Sequence, residues 1–100
     1  MKPVTSLIHH DYQAPKDFAS PQIAVHKAST VIFPNVQAMR ERTWLDKKGY
    51  TYGLHGTPTT FTLEERICYV EGAQHAVLVP SGLAAIALVN MALLKQGDEI

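Results

Sequence analysis

Apolar and polar positions are unevenly spaced along this chain, and the clearest pattern lies between His75 and Leu94. His75-Ala76-Val77-Leu78-Val79 is a short apolar run rich in β-branched residues, which predicts a strand covered on both faces. Pro80 cannot donate to a ladder, so strand pairing is expected to stop there. Ser81 is a good helix N-cap, and Gly82 lets the backbone come close to a group beyond the strand end. Residues 83–94 are nearly all apolar or helix-forming, which predicts a helix, with Gly97 as its stop signal. A strand that ends in Ser-Gly and opens a helix leaves free N–H groups at the positive end of a helix dipole. That arrangement binds anions, phosphate above all.

The chain before this unit is less regular. Residues 1–34 show no sustained period, and Pro3, Pro15, Pro21 and Pro34 punctuate a polar stretch containing His9-His10-Asp11, which reads as an extended arm. Within it, Ser29-Thr30-Val31-Ile32-Phe33 alone has the composition of a strand. Asn35 is placed to cap a helix running to about Asp46 and ended by Lys47-Lys48-Gly49. A loop rich in glycine, aromatics and hydroxyls follows, Tyr50 to Thr59, a make-up common where loops carry function. Thr57-Pro58 reads as an N-cap followed by proline at the first helical position. Leu63, Ile67 and Val70 then form one apolar stripe, Glu64 and Glu65 sit where the dipole favours acids, and Gly72 ends the helix.

One strand cannot make a sheet, and a helix as apolar as residues 83–94 needs cover on most sides. A second strand starts at Glu99-Ile100. The missing cover leads us to expect the N-terminal part of a larger protein. Lys+Arg and Asp+Glu balance at 9 each, so no net field draws the chain to nucleic acid or to an acidic membrane surface. The first residues lack the apolar core of a signal peptide, and no apolar run is long enough for a membrane span. Cys68 stands alone, which fits a reducing compartment, and a cytoplasmic location is expected.

Three chemistries can be tested against the turn at Ser81. A hydrolase nucleophile elbow needs glycine two residues before and after the serine, and these are Val79 and Leu83. A Walker loop needs Gly-Lys-Ser/Thr and a dinucleotide loop needs three spaced glycines, and neither is present. A compact site for one phosphate remains, beside the plainer alternative of a βα turn with a serine cap. The five histidines, His9, His10, His26, His55 and His75, include no pair at helical metal-site spacing, so no metal is expected. Cys68 falls in a helix without a signal of thiolate activation and reads as a buried, inert thiol. Arg40, Arg42, Lys47 and Lys48 read as a solvated face.

Four pieces of the chain, in order and at the right spacing, resemble the Cys/Met-metabolism family of pyridoxal-phosphate enzymes. They are Tyr52-Gly53-Leu54-His55-Gly56-Thr57-Pro58-Thr59, then Val70-Glu71-Gly72, then Ser81-Gly82-Leu83-Ala84-Ala85-Ile86, then Gly97-Asp98. The family's patterns there are Tyr-x-Arg-x-Gly-Asn-Pro-Thr, Leu-Glu-Gly, Ser-Gly-Met-Ala-Ala-Ile and Gly-Asp. The resemblance covers residues 29–100 and leaves 1–28 as a variable arm. It implies an α/β fold, the aspartate-aminotransferase-like (type I) fold of PLP-dependent transferases. Residues 1–56 would be an arm with a short helix that contacts a neighbouring subunit, and 57–100 the start of the cofactor domain. It also implies that the turn of Ser81, Gly82 and Leu83 holds the phosphate of pyridoxal phosphate. Tyr52 would reach the phosphate of the neighbouring subunit's cofactor and face its substrate. An active site built across a homodimer, within a probable-tetramer family, would explain an arm without a core.

Two positions depart from the family pattern. Leu54 stands where the family has a phosphate-binding arginine, and leucine cannot donate; His55 is adjacent but one residue out of phase. Thr57 replaces an asparagine and still caps a helix. The chemistry also needs a Schiff-base lysine, and Lys2, Lys16, Lys27, Lys47, Lys48 and Lys95 all fall on the arm, a helix face or a helix end. These hundred residues by themselves are therefore expected to be inactive. The run Gly56-Thr57-Pro58-Thr59-Thr60-Phe61 is most similar to the cystathionine β-lyase branch, implying α,β-elimination from an amino-acid substrate. γ-Synthases, γ-lyases and homoserine-ester sulfhydrylases of the same family are the alternatives, and a small non-enzymatic phosphate-binding or interaction module is the alternative of another class.

Overall fold

The computed structural model describes residues 2, 4, 5, 15–18 and 20–100; Pro3, His9, His10 and Asp11 of the expected arm lie outside them. Among the described residues three helices are delimited, α1 (Val36–Arg40), α2 (Pro58–Glu71) and α3 (Gly82–Leu93). Each starts at the cap its sequence predicts. The Asn35 side chain accepts from the Ala38 N–H at 2.8 Å, and the Ser81 hydroxyl accepts from the Ala84 N–H at 3.0 Å. At α2 the cap is reciprocal: Thr57 N–H donates to the Thr60 hydroxyl at 2.8 Å, and Thr60 N–H donates back to the Thr57 hydroxyl at 3.4 Å. A threonine thus does the work that a capping box usually gives to Glu or Gln. Gly72 closes α2 in the left-handed conformation, at φ 65°.

Two helix ends differ from expectation. α1 stops at Arg40 rather than near Asp46. The Arg42 guanidinium donates to the Met39 carbonyl at 2.7 Å, occupying an acceptor that a continuing helix would use. Trp44 is drawn out to stack on His55, with ring centroids 4.6 Å apart and 16° between planes. α3 ends at Leu93 with an extended Leu94 as its cap. Gly97, expected as the stop, instead sits at φ 98° in a following turn, where Asp98 accepts from the Lys95 N–H at 2.8 Å.

Residues 75–79 are extended but form no ladder, and no strand is formed among the described residues. The strand-like run at 29–33 makes one antiparallel bridge, Thr30 to Tyr52, supported by a 2.7 Å bond from Gly53 N–H to the Ser29 carbonyl. Gly53 is required there, because a Cβ would lie 1.7 Å from the Ala28 carbonyl oxygen. The arm is tied a second time by Thr59. Its hydroxyl accepts from His26 N–H at 2.8 Å and donates to the Ala24 carbonyl at 2.9 Å.

The buried face of α2 is not the expected stripe. Leu63, Ile67 and Val70 are exposed, while Phe61 and Glu64 are each only 7% exposed. Phe61 stacks on Tyr50 at 5.7 Å and closes against Gly56, where a Cβ would fall 2.0 Å from its ring. The contacts of α2 come from the 44–50 loop and residue 78 on the Phe61–Glu64 side, and from the arm at Thr59. Among the described residues Phe61 is the only buried hydrophobic one, and Leu83 and Met91 of α3 are 77% and 76% exposed. The radius of gyration, 16.7 Å, exceeds the roughly 13 Å of a compact chain this long. No helix among the described residues is long and apolar enough to cross a membrane.

So small a buried core cannot offset the entropy of ordering the chain. The 100-residue polypeptide alone is expected to bind a hydrophobic dye and to lose its helical signal gradually on heating. A sharp two-state calorimetric transition in the isolated monomer would contradict this.

Candidate functional site

The turn at residues 80–84 takes the form that the sequence predicts. Ser81 is extended (φ −161°), and its side chain satisfies Ala84 N–H, while Ala85 N–H donates to the Ser81 carbonyl at 3.0 Å. That leaves the N–H groups of Gly82 and Leu83 as the helix's unpaired donors, without a protein partner among the described residues. They lie at the positive end of a 12-residue helix dipole. Nothing approaches within 4 Å of where a Gly82 Cβ would be, and Gly82 does not have a positive φ. Glycine here is demanded neither by backbone conformation nor by crowding within the chain. Its effect is to keep the approach to two N–H groups open. Two converging donors, an adjacent hydroxyl and a helix N-terminus match the acceptors of one phosphate group.

Tyr52 lies on a separate loop. Its backbone bridges Thr30, its ring meets His55 edge-on with centroids 5.8 Å apart, and it is 41% exposed. Its hydroxyl has no hydrogen-bond partner among the described residues, and no hydrogen bond or ring contact joins it to the Ser81 turn. Leu54 is 85% exposed and offers no donor. His55 is fixed from three directions: the Trp44 stack, the Tyr52 edge, and a 2.9 Å contact from Nδ1 to the Thr51 hydroxyl. Its ring therefore sits beside the Tyr52 ring although its backbone position is out of phase with Leu54.

The structure corrects the reading of Lys47, which is paired rather than part of a solvated face, and finds Glu64, expected as an acid early in α2, to be buried there. Glu64 Oε1 accepts from Leu78 N–H at 2.8 Å, and Oε2 lies 2.5 Å from Lys47 Nζ. Lys47 Nζ also donates to the Ala76 carbonyl. The signal for this was faint: one acid three residues after Phe61, on the same helical face. Thr59 was likewise missed as a tie to the arm, since no local pattern marks a residue that bonds 33 and 35 positions away.

A groove of about 800 Å³ lies elsewhere, lined among others by Lys47, Tyr50, Phe61, Cys68 and His75. Cys68 is half-buried there. Among the described residues no three His, Cys, Asp or Glu side chains come together as a metal site would require.

Comparison with known proteins bears on the turn and the loop together. The family described as Cys/Met metabolism PLP-dependent enzyme matches residues 4–100. A Rhizobium johnstonii protein provisionally named a cystathionine beta-lyase is 48% identical over 81 residues, 81% of this chain and 19% of its own. Cystathionine beta-lyase MetC of Escherichia coli K12 is 36% identical over 76% of this chain and 20% of its own. L-methionine gamma-lyase of Fusobacterium nucleatum subsp. polymorphum is 36% identical over 76% of this chain and 19% of its own. The chain spans about a fifth of the length of these curated relatives. No solved structure gives a significant match. With a match over nearly its whole length, the chain belongs to the Cys/Met metabolism family of enzymes, whose cofactor is pyridoxal phosphate.

Proposed function

We propose that residues 1–56 are the subunit-bridging arm, and residues 57–100 the start of the cofactor domain, of a PLP-dependent carbon–sulfur lyase with the type I fold. The observation that carries this reading is the pair of unpartnered N–H groups at Gly82 and Leu83, opened by Ser81 at the start of α3. This donor set fits the phosphate of pyridoxal phosphate, with the Ser81 hydroxyl free to donate its proton to a third oxygen. When bound, the cofactor supplies an electron sink for charge developing at the substrate α-carbon. The residues of this chain bind and orient. The turn anchors the phosphate end, and Tyr52, with its free hydroxyl, reaches the corresponding phosphate and substrate of a neighbouring subunit. His55, packed against Tyr52, holds that ring in place where Leu54 contributes no donor. The working enzyme is a cytoplasmic homo-oligomer, at least a dimer.

The substrate reading is L-cystathionine: elimination takes a proton from Cα and breaks the Cβ–S bond, releasing homocysteine and an aminoacrylate that water hydrolyses to pyruvate and ammonia. It is supported by the names of the Rhizobium and Escherichia coli relatives. γ-Elimination is the second reading, favoured by the match to a methionine gamma-lyase at the same 36% identity. The full-length protein given cystathionine is expected to release pyruvate. Release of 2-oxobutyrate with cysteine would place it on the γ side.

Gly82→Val is expected to weaken pyridoxal phosphate binding in the full-length protein, because a branched side chain fills the open approach to the two N–H groups. Since no neighbour lies within 4 Å of that Cβ, the melting temperature of the apoprotein should scarcely move. Ser81→Ala should cost about 1 kcal/mol through the lost cap. Equal cofactor affinity in wild type and Gly82→Val, by spectroscopic titration, would remove the phosphate from this turn.

Tyr52→Phe should weaken cofactor retention and lower turnover with the fold intact, since it deletes a hydrogen bond to a charged group worth roughly 1.5–3 kcal/mol. Mixing Tyr52→Phe subunits with subunits lacking the Schiff-base lysine tests whether the site is shared. A heterodimer then has one site with both defects and one with neither, so activity should reappear. Heterodimers that form and stay inactive would place Tyr52 in its own subunit's site or in none.

A further inference from the structure

Glu64 is the most deeply placed charge among the described residues, and its carboxylate contacts the chain that leads into the Ser81 turn, directly through Oε1 and by way of Lys47 through Oε2. Oε1 takes the Leu78 N–H at 2.8 Å. Oε2, with no other partner, lies 2.5 Å from Lys47 Nζ, and that ammonium reaches on to the Ala76 carbonyl. Two side chains from two different elements therefore grip one donor and one acceptor of the extended segment 76–78. Lys47 is the only described non-glycine residue at positive φ, 58°, a conformation that costs a lysine energy and turns its side chain toward Glu64. Its turn is held by bonds from Lys47 N–H to the Trp44 carbonyl at 2.9 Å and from Lys48 N–H to Asp46 at 3.1 Å. Burying an ion pair contributes little to stability compared with apolar residues of the same size, but it does specify geometry.

Only Val79 and Pro80 separate Leu78 from Ser81, and proline fixes its own φ. A shift at Leu78 is thus carried into the positions of the Gly82 and Leu83 N–H groups. Beside α3 the segment borders a shallow apolar groove lined by Val77, Val79, Ala85 and Leu88. We propose that Glu64 and Lys47 are positioning residues for the phosphate turn: they set the place of segment 76–78 and so aim the two N–H donors. This rests on the phosphate reading of the turn.

The test compares pyridoxal phosphate with pyridoxal, which lacks the phosphate, by absorbance titration of the full-length apoprotein. Lys47→Met and Glu64→Leu are expected to weaken pyridoxal phosphate binding about tenfold, the scale of one misaligned hydrogen bond to a charged group, and to leave pyridoxal binding unchanged. Glu64→Gln, which keeps an acceptor for Leu78 N–H, should lose less, and Lys47→Arg should restore most of the affinity. If Glu64→Leu does not fold, Lys47→Met and Glu64→Gln decide the matter. Variants that melt lower but keep the wild-type ratio of the two affinities would overturn the proposal and leave the pair a purely structural tie. Gly82→Val separates the two readings. If it abolishes the preference for the phosphate form while the Lys47 and Glu64 variants keep it, positioning fails alone. If Gly82→Val keeps the preference too, the phosphate reading of the turn fails with it.

Discussion

A carboxylate taken out of water has to be matched by charge and by donors, and the contacts of Glu64 join the separate parts of this chain on that account. The residue belongs to α2, its ion partner Lys47 to the loop after α1, and its hydrogen-bond donor Leu78 to the segment before α3. Without these contacts the loop, the helix and the phosphate turn would be linked through chain connectivity and a few ring contacts. Tyr50 on Phe61 reinforces the same junction from the apolar side. The two carboxylate oxygens divide the work, one taking the Leu78 N–H and the other the Lys47 ammonium.

The arm is held differently. It has no apolar core, and its described anchors are backbone groups: Ala24 and His26 on the Thr59 hydroxyl, Ser29 on Gly53 N–H, and Thr30 bridged to Tyr52. Hydrogen bonds of this kind contribute only about 1 kcal/mol each, yet they specify register in a way that apolar contact would not. Thr59 and Gly53 both belong to the motif run 52–59. This run therefore docks the preceding arm, through Thr59 on Ala24 and His26 and Gly53 on Ser29.

α3 shows the opposite balance. At its start Ser81 caps only the Ala84 N–H, while Leu83, Ile86, Val89, Met91 and Leu93 are exposed. A helix with apolar residues all round is stable only when covered.

The sequence by itself determined the local features. Asn35, Thr57 and Ser81 cap the three helices because a cap needs only a short acceptor side chain and the next few N–H groups. The same locality made the turn at Ser81 legible, since the free N–H groups of Gly82 and Leu83 follow from a serine cap opening a helix. Tertiary structure decided which face of α2 is buried, where α1 ends and what Glu64 and Lys47 do. The apolar stripe of Leu63, Ile67 and Val70 stays exposed because the 44–50 loop and residue 78 meet the other side. Trp44 leaves the helix because His55, eleven residues on, offers a stacking surface. Lys47 reads as a solvent-facing charge, and Glu64 as an acid placed for the helix dipole, until Ala76 and Leu78 come within reach. Hydrophobic period and capping chemistry act over one or two turns of chain; a contact between residues 14 or 29 apart depends on how the elements are placed.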